Sequence, residues 1–206
     1  MLTVNNSEVL NFPNAMRGAR NPMNSWAKSD SYFDEQGQFV LGENDLSLAV
    51  RLRKAGSDHR KFLRQVFVTV DITAPMYWWK EYDTYKVGTV ANSTSTMHKI
   101  TSVPFALSHF SHDKMDEGTL KVMQTIIDKL EELRIQFLET KDKQYWYDII
   151  QLLPSSYNQM RTCTMNYETL INIYHARKNH KLDEWHVFCD FIRTLPYAEE
   201  LIICEE

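Results

Sequence analysis

The feature that most constrains this 206-residue sequence is the run Val66-Phe-Val-Thr-Val-Asp-Ile72, in which β-branched and aromatic residues dominate. Such residues favour a β-strand. Since the run is nearly continuous in apolar side chains, the strand must be covered by helices on at least one face. Pro75 follows closely and suits the first position of a helix that continues from Met76 to about Tyr82. The run therefore predicts a sheet with helices packed on it.

Helical patterns dominate much of the remaining chain. Asn44 is a plausible N-cap and Gly56 a plausible C-terminal stop for a first helix, whereas residues 1–43 are predicted to be irregular or extended. Residues 87–99 are small and polar, and they indicate a loop with short strand pieces. Apolar residues at helical spacing predict a helix from Asp116 to about Thr140. Three further helices are predicted over residues 143–152, 164–177 and 182–194.

These elements predict an α+β fold, with a modest mixed or antiparallel sheet flanked by helices and a helical C-terminal half. No internal repeat, low-complexity tract or linker divides the chain, so residues 1–206 are expected to form a single domain. The apolar content of 43% is sufficient for a buried core and too high for a disordered chain.

Composition also limits the partners and the location of the protein. The net charge of −4 argues against non-specific binding of nucleic acid. No apolar run approaches the roughly 18 residues that span a bilayer, and no signal peptide is recognisable, so we expect a cytoplasmic protein without membrane contact. The three cysteines are widely spaced, so we expect ordinary thiols rather than a disulfide framework or a zinc site. His109 and His112 have a spacing that suits a metal, but no third ligand is near in sequence, so no metal is predicted.

Two polar features have a spacing that suits ligand binding. The segment 85–99 combines hydroxyl, amide and ammonium groups, which can donate to phosphate or ribose oxygens, although a solvated polar loop explains the same composition. In the helix predicted over 164–177, Asn166 and Arg177 lie eleven residues apart and share a face. That arrangement fits either a pocket wall or a core helix with a capped start and an extended arginine.

The same segments, taken in order, resemble the flavin-dependent thymidylate synthase family. The best match is LLPSSYNQMRTCTMNYETLINIYHARKNHKLDEW (152–185), which contains a Leu-Pro, a Thr-x-Asn-x-x-x-Leu, an Asn and an Arg at the spacing of the family pattern. NAMR (14–17) is similar to an Asn-Ala-x-Arg element near the family's N-terminus. Residues 59–99 are similar to a block that runs through a strand and an Ala-Pro helix to the signature Arg-His-Arg-x-x-Ser-x-Asn-Glu-x-Ser-x-Arg.

The sequence departs from the family mainly at the positively charged residues of the family pattern. The signature Arg-His-Arg falls on Thr84-Tyr85-Lys86, so one cation remains of its two arginines and histidine. An arginine that precedes the Leu-Pro corresponds to Ile150, and the frequent arginine after Thr-x-Asn corresponds to Glu168. The resemblance is therefore to a divergent member that lacks the Arg-His-Arg signature.

The resemblance implies a homotetramer that binds FAD between subunits. In the family, NADPH reduces the flavin, methylenetetrahydrofolate supplies a one-carbon unit to C5 of dUMP, and the flavin supplies the hydride. Carried over residue by residue, Arg177 would be the catalytic and substrate-binding arginine. The same comparison assigns the remaining positions to FAD (Asn166, Asn172, Lys86, Thr89) and to the nucleotide (Ser93, Ser95, Glu81).

Two hypotheses of different classes follow. The first is a flavin-dependent enzyme, similar to a methyltransferase, that makes dTMP from dUMP or performs a related alkylation on a pyrimidine nucleotide. The second is a non-catalytic nucleotide- or partner-binding protein on the same fold. A nucleic-acid-binding protein is a third interpretation, and it depends only on the aromatic and basic segment 77–86. For Arg177 itself, the alternative role is an ion pair with Asp183 or Glu184 near the helix end.

Overall fold

The computed structural model describes residues 1–204. It contains eight α-helices and six β-strands over that range, together with short 3-10 and π-helical turns. In chain order the elements are β1 (Thr3–Leu10), α1 (Phe12–Ala19), β2 (Tyr32–Phe33), β3 (Phe39–Val40), α2 (Glu43–Lys54), β4 (Phe67–Pro75), α3 (Met76–Tyr82), β5 (Thr89–Ser93), α4 (Thr96–Lys99), α5 (Glu117–Thr140), α6 (Lys143–Leu152), β6 (Asn158–Asn166), α7 (Tyr167–Arg177) and α8 (Asp183–Arg193).

The main sheet has four strands in the order β1-β4-β6-β5, and β2 and β3 form a separate antiparallel hairpin. Strands β4 and β6 run antiparallel. Tyr167 N donates to Val66 O, and the hydroxyl oxygens of Thr69 and Thr164 lie 2.9 Å apart, so the numbering falls on one strand as it rises on the other. The predicted α+β class, with an antiparallel sheet and helices, is confirmed.

The chain divides into two compact units. Unit 1 comprises residues 1–3, 72–84 and 92–162, and unit 2 comprises residues 4–71, 85–91 and 163 onward. The expectation of a single functional domain stays a prediction. Along residues 1–204, no helix is long and apolar enough to cross a membrane.

Unit 1 has its core between α5 and α6. The predicted stripe of α5 is buried there through four side chains (Met123, Ile127, Leu130, Leu133), which pack with Ile149 of α6. The aromatic helix α3 is also buried, because Trp78, Trp79 and Tyr82 are almost inaccessible to solvent. Trp79 Nε1 donates to Gln159 O at 2.9 Å. These tryptophans are therefore buried within one chain, and they do not require a partner subunit to cover them.

Unit 2 is built around α7. This helix is apolar on most of its surface, and it packs against α8, against the 3-10 turn Arg60–Gln65 and against the π-helical turn Glu199–Ile203. Its buried residues include Leu170 and Ile173, and Trp185 of α8 is completely buried. A helix with so little amphipathic character belongs in a core. The positions of the buried side chains on α7 are consequently fixed by packing.

Several element boundaries were predicted correctly. The strand predicted over 66–72 overlaps the first two thirds of β4, and α2, α5, α6 and α8 lie within a few residues of their predicted limits. Gly56 has a φ of 97°, as expected of a residue just beyond a helix end.

Other predictions were wrong. The three strands within residues 1–43 agree with the predicted extended structure, but residues 12–19 form helix α1, because Pro13 is accommodated in its first turn, where a missing N–H costs nothing. Helix α7 starts at Tyr167, since residues 158–166 form β6. Pro75 ends the strand as the N-cap residue of α3 and is not its first helical residue.

Candidate functional site

The candidate site lies in unit 2, where the segment 85–91 meets helix α7. Strand β6 passes into this helix without a loop, and Asn166 is both the last strand residue and the N-cap. Its Oδ1 accepts the backbone N–H of Thr169 at 2.9 Å, which satisfies one of the free donors of the first helical turn. Asn166 is buried. The side chain that the resemblance assigns to FAD is thus already engaged through its oxygen in holding the helix start.

The segment 85–91 is attached to this helix start. The Thr169 hydroxyl donates to Val87 O, at an Oγ1–O distance of 3.0 Å. Gly88 follows with a φ of 74°, and a Cβ placed on it would lie 2.5 Å from Nδ2 of Asn166. Only glycine combines this backbone conformation with so close an approach. The turn therefore has a defined position on α7.

At the other end of α7, Arg177 lies between two aromatic rings. Its Nε donates to the hydroxyl of Tyr85, with an N–O distance of 2.9 Å. The guanidinium carbon is 4.7 Å from the ring centroid of Trp185 and 5.5 Å from that of Tyr85. The guanidinium is planar and permanently charged. This end of α7 presents a fixed positive charge on a partly apolar surface.

Three other predicted ligands also belong to unit 2. Lys86 and Asn172 are exposed, and within residues 1–204 neither side chain forms a hydrogen bond or ion pair. Thr89 differs, because its Oγ1 is buried and has no hydrogen-bond partner in that part of the chain. A buried hydroxyl without a partner is costly, so its presence beside the Gly88 turn indicates an external acceptor or donor.

The predicted substrate residues Glu81, Ser93 and Ser95 belong to unit 1. Glu81 is in the last turn of α3, and its backbone oxygen accepts from Thr84. Ser93 ends β5 and is exposed. Ser95 is the N-cap of α4, and its hydroxyl accepts the backbone N–H of His98 at 3.1 Å. The role of these three residues in binding a nucleotide stays a prediction.

At the position where the resemblance has an arginine, Glu168 forms a largely buried ion pair. Arg60 Nε lies 3.0 Å and 3.1 Å from the two carboxylate oxygens of Glu168. Both side chains are about nine-tenths buried, at 10% and 12% exposure. Removing either partner would leave an uncompensated charge. The substitution is therefore compensated inside the chain and does not place a bare negative charge at the start of α7.

Cys189 and the pair His109 and His112 were the remaining candidates for a nucleophile and a metal centre. Burial raises the pKa of the Cys189 thiol to about 11, so this cysteine is protonated at neutral pH. His109 and His112 line a cavity of about 540 Å³ in unit 1. Among residues 1–204, no group of three or more His, Cys, Asp or Glu side chains is arranged to hold a metal.

Sequence reasoning identified Arg177 but missed the residues that hold it. Tyr85 was considered only as one of the polar groups of segment 85–99, and not as a contact of Arg177. Trp185 was given no role, although it is the last residue of the matched segment 152–185. The sequence signal that could have identified Trp185 is its position eight residues after Arg177. The contact between Tyr85 and Arg177 bridges 92 residues and had no signal in local spacing.

Comparison with solved structures places this fold among the flavin-dependent thymidylate synthases. Two structures of such an enzyme, ThyX from Helicobacter pylori, each with FAD and dUMP, superpose with a TM-score of 0.69 at 18% sequence identity. The likeness covers 98% of this chain, and 99% or 97% of the other. At 18% identity, the comparison establishes that the two proteins share a fold. No protein-family model matches the chain, and no curated protein is significantly similar in sequence.

The donor groups of unit 2 fit a flavin nucleotide chemically. The flavin ring edge and the diphosphate of FAD are acceptor-rich, and the unit presents the Thr89 hydroxyl, the Lys86 ammonium group and the Asn172 amide. The unpartnered buried Oγ1 of Thr89 is the observation that decides this fit. Lys86, Thr89 and Asn172 are accordingly the residues that would hold the cofactor.

Proposed function

We propose that this protein is a flavin-dependent enzyme that transfers a one-carbon unit to C5 of a pyrimidine nucleotide, converting dUMP to dTMP or carrying out a closely related alkylation. The observation that carries the proposal is the position of Arg177, which is fixed by two aromatic rings on a fold shared, over nearly the full chain, with an enzyme that binds FAD and dUMP. FAD is the proposed cofactor. NADPH and methylenetetrahydrofolate are the proposed co-substrates.

In this proposal Arg177 performs the electrostatic step. Its guanidinium donates hydrogen bonds to a carbonyl of the pyrimidine and stabilises the negative charge that develops as C5 reacts. Because Tyr85 and Trp185 already hold the guanidinium, little reorganisation is needed when the nucleotide arrives. The chemistry that a bound flavin would supply is hydride transfer. No protein nucleophile is required, in agreement with the protonated, buried Cys189.

The polar residues have distinct proposed roles. Lys86 and Thr89 would bind the flavin nucleotide, Asn172 would bind it through its exposed amide, and Asn166 would contribute through its Nδ2 group while its oxygen caps α7. Glu81, Ser93 and Ser95 are proposed to contact the pyrimidine nucleotide. We further propose that the whole chain acts as a single domain in the cytoplasm and binds neither nucleic acid nor membrane.

The proposed assembly is a homotetramer of about 97 kDa, four times the 24.3 kDa of one chain. It is supported by apolar side chains that remain exposed on α5, where Val122, Ile135 and Leu138 are 62%, 45% and 40% accessible. Apolar surface of this kind is typical of an interface. Light scattering at micromolar concentration should give the mass of four chains. A stable monomer would contradict the proposed assembly.

The function is tested by cofactor uptake. The full chain is incubated with FAD and separated from free cofactor by gel filtration, and the flavin absorbance of the protein fraction is recorded. Retained flavin whose spectrum changes on addition of dUMP is the expected result. A colourless protein that takes up no FAD would overturn the proposal in favour of the non-catalytic hypothesis. Production of dTMP in the presence of NADPH and methylenetetrahydrofolate then tests the reaction itself.

A further inference from the structure

A small cavity in unit 2 lies beside helix α1, at the end of the NAMR segment (14–17). Its volume is about 110 Å³, and its walls include Arg17, Arg20, Trp26 and Ser29. Pockets that enclose drug-sized ligands measure roughly 300–1,000 Å³, so this cavity accommodates only a small group. None of the residues that line it belongs to the proposed flavin or nucleotide site.

A buried arginine with unused donors lines this cavity. Arg20 is only 4% exposed, and its Nε donates to Asp45 Oδ1 at 2.6 Å. Its Nη1 and Nη2 donate to Ser25 O and Lys28 O, at 3.2 Å and 3.1 Å. A guanidinium has five N–H groups, so two of them have no acceptor within residues 1–204. Because unpaired buried donors are costly, the arrangement favours an acceptor from outside the chain.

The cavity has an unbalanced positive charge. Burial raises the pKa of the Asp45 carboxyl, but hydrogen bonds from Ser29, Ser31 and Arg20 outweigh burial and hold that pKa below its usual value. Asp45 is therefore ionised at neutral pH and neutralises Arg20. Arg17 lies exposed in the last turn of α1, and along residues 1–204 its guanidinium forms no hydrogen bond or ion pair. The charge of Arg17 is left to attract an anion.

The Ser29 hydroxyl adds an acceptor to the cavity. Its Oγ lies 2.6 Å from Asp45 Oδ2, and an ionised carboxylate only accepts, so the serine proton points to Asp45. In the described part of the chain no group donates to this Oγ. A ligand that faces both Ser29 and the arginines needs acceptor oxygens and one O–H. Inorganic phosphate keeps a proton at neutral pH and has both, whereas sulfate has no proton to donate.

We propose that the cavity beside α1 is a binding site for inorganic phosphate. Arg17 and Arg20 donate to phosphate oxygens, and Ser29 Oγ accepts the proton of the phosphate O–H. The site is independent of the proposed function, because it shares no residue with the flavin and nucleotide positions. Its failure and the failure of the proposed function are therefore distinguishable.

Trp26 supplies a spectroscopic signal for this site. Its ring lines the cavity and is 49% exposed, and its Nε1 donates to Asn21 Oδ1 at 2.9 Å. Three other tryptophans, Trp78, Trp79 and Trp185, are at most 1% exposed. Phosphate in the cavity should therefore change the fluorescence of Trp26. Trp26→Phe should abolish this change, and a change that persists in the variant would place the binding elsewhere and overturn the proposal.

The test is titration of the full chain with sodium phosphate in phosphate-free buffer at neutral pH, followed by calorimetry and fluorescence. Saturable binding is the expected result. Sulfate at matched ionic strength should bind about fivefold more weakly, because one neutral hydrogen bond is missing. Glycerol 3-phosphate should also bind more weakly, since a phosphomonoester has a second pKa of about 6 and has mostly lost its proton. Equal or tighter binding of sulfate or of the ester would overturn the assignment to inorganic phosphate.

Arg17→Ala tests the charge of the cavity. The variant should bind phosphate about tenfold more weakly, because a charge-assisted hydrogen bond is lost, and its melting temperature should be unchanged. Arg64→Ala is the matched control, since Arg64 is also exposed, has no side-chain partner within residues 1–204 and does not line the cavity. The control should retain full affinity. Absence of saturable binding in wild type, or equal affinities in the two variants, would overturn the proposal.

Discussion

Each end of helix α7 is hydrogen-bonded to the segment 85–91, but the two ends differ in whether every donor has an acceptor within the chain. At the start, Asn166, Thr169 and the Gly88 turn bond to one another, and the asparagine oxygen is fully engaged. At the end, Arg177 and Tyr85 also bond to each other, yet the Tyr85 hydroxyl keeps a proton that no group within residues 1–204 accepts. The hydrogen bonds at the start of α7 therefore stabilise the local fold, whereas the end of the helix keeps a hydrogen-bond donor that can bind a ligand.

The difference between the two ends is tested most strongly at Arg177. Arg177→Lys should reduce dUMP affinity about a hundredfold, because a lysine cannot provide the planar donor fork. The free energy of unfolding should change by no more than about 1 kcal/mol. Calorimetry on FAD-loaded protein and urea unfolding measure the two effects separately.

Arg193→Lys is the appropriate control for that substitution. Arg193 also donates to a tyrosine hydroxyl, from Nε and Nη2 to Tyr174 at 3.1 Å and 2.7 Å, but it lies in the last turn of α8. Its replacement should leave dUMP affinity unchanged. If Arg177→Lys and wild type bound dUMP equally, the binding role of this end of the helix would be refuted.

Substitutions at the start of α7 should lower the free energy of unfolding. Gly88→Ala is expected to lower the free energy of unfolding by about 2 kcal/mol, since it combines a positive φ with a Cβ only 2.5 Å from the Asn166 amide. Gly37→Ala has a similar φ of 77° but nothing within 4 Å, so it should cost about 1 kcal/mol. Urea denaturation of both variants gives the difference. Equal losses would mean that the close approach at Gly88 is relieved by movement of the loop.

Asn166→Ala should have a smaller effect on stability. Loss of an N-cap side chain costs about 1 kcal/mol. The expected decrease would be measured by thermal or urea unfolding, with Asn172→Ala as the comparison because Asn172 is exposed and does not cap the helix. An unchanged stability in Asn166→Ala would show that the capping bond adds nothing to the fold.

Asn172→Ala should have the smallest effect on the free energy of unfolding and a clear effect on FAD binding. Its unfolding free energy should stay within about 0.5 kcal/mol of wild type, as is usual for exposed positions. Its FAD content after gel filtration should fall, because an amide donor proposed to bind the flavin is removed. Full retention of FAD would exclude Asn172 from the cofactor site.

The sequence predicted those parts of this arrangement that depend on local pattern. Strand β4 followed from its β-branched run and α5 from its apolar stripe, whereas the role of Arg177 came from the resemblance and stays a prediction. Strand β6 was missed, because its residues mix polar and apolar types, and its pairing with β4 joins residues about 100 positions apart. The contact between Tyr85 and Arg177 was missed for the same reason. Long-range pairing depends on packing and not on periodicity.

The direct join between β6 and α7 has a consequence for how this chain tolerates changes in length. Each residue of an α-helix turns the chain by about 100°. Because Asn166 ends the strand and Tyr167 begins the helix, one inserted or deleted residue at this point would rotate the whole of α7 about its axis. Arg177 would then face away from Tyr85, ten positions beyond the change. Among naturally occurring relatives of this chain, insertions should therefore be absent between β6 and the arginine, and frequent in the exposed turns elsewhere.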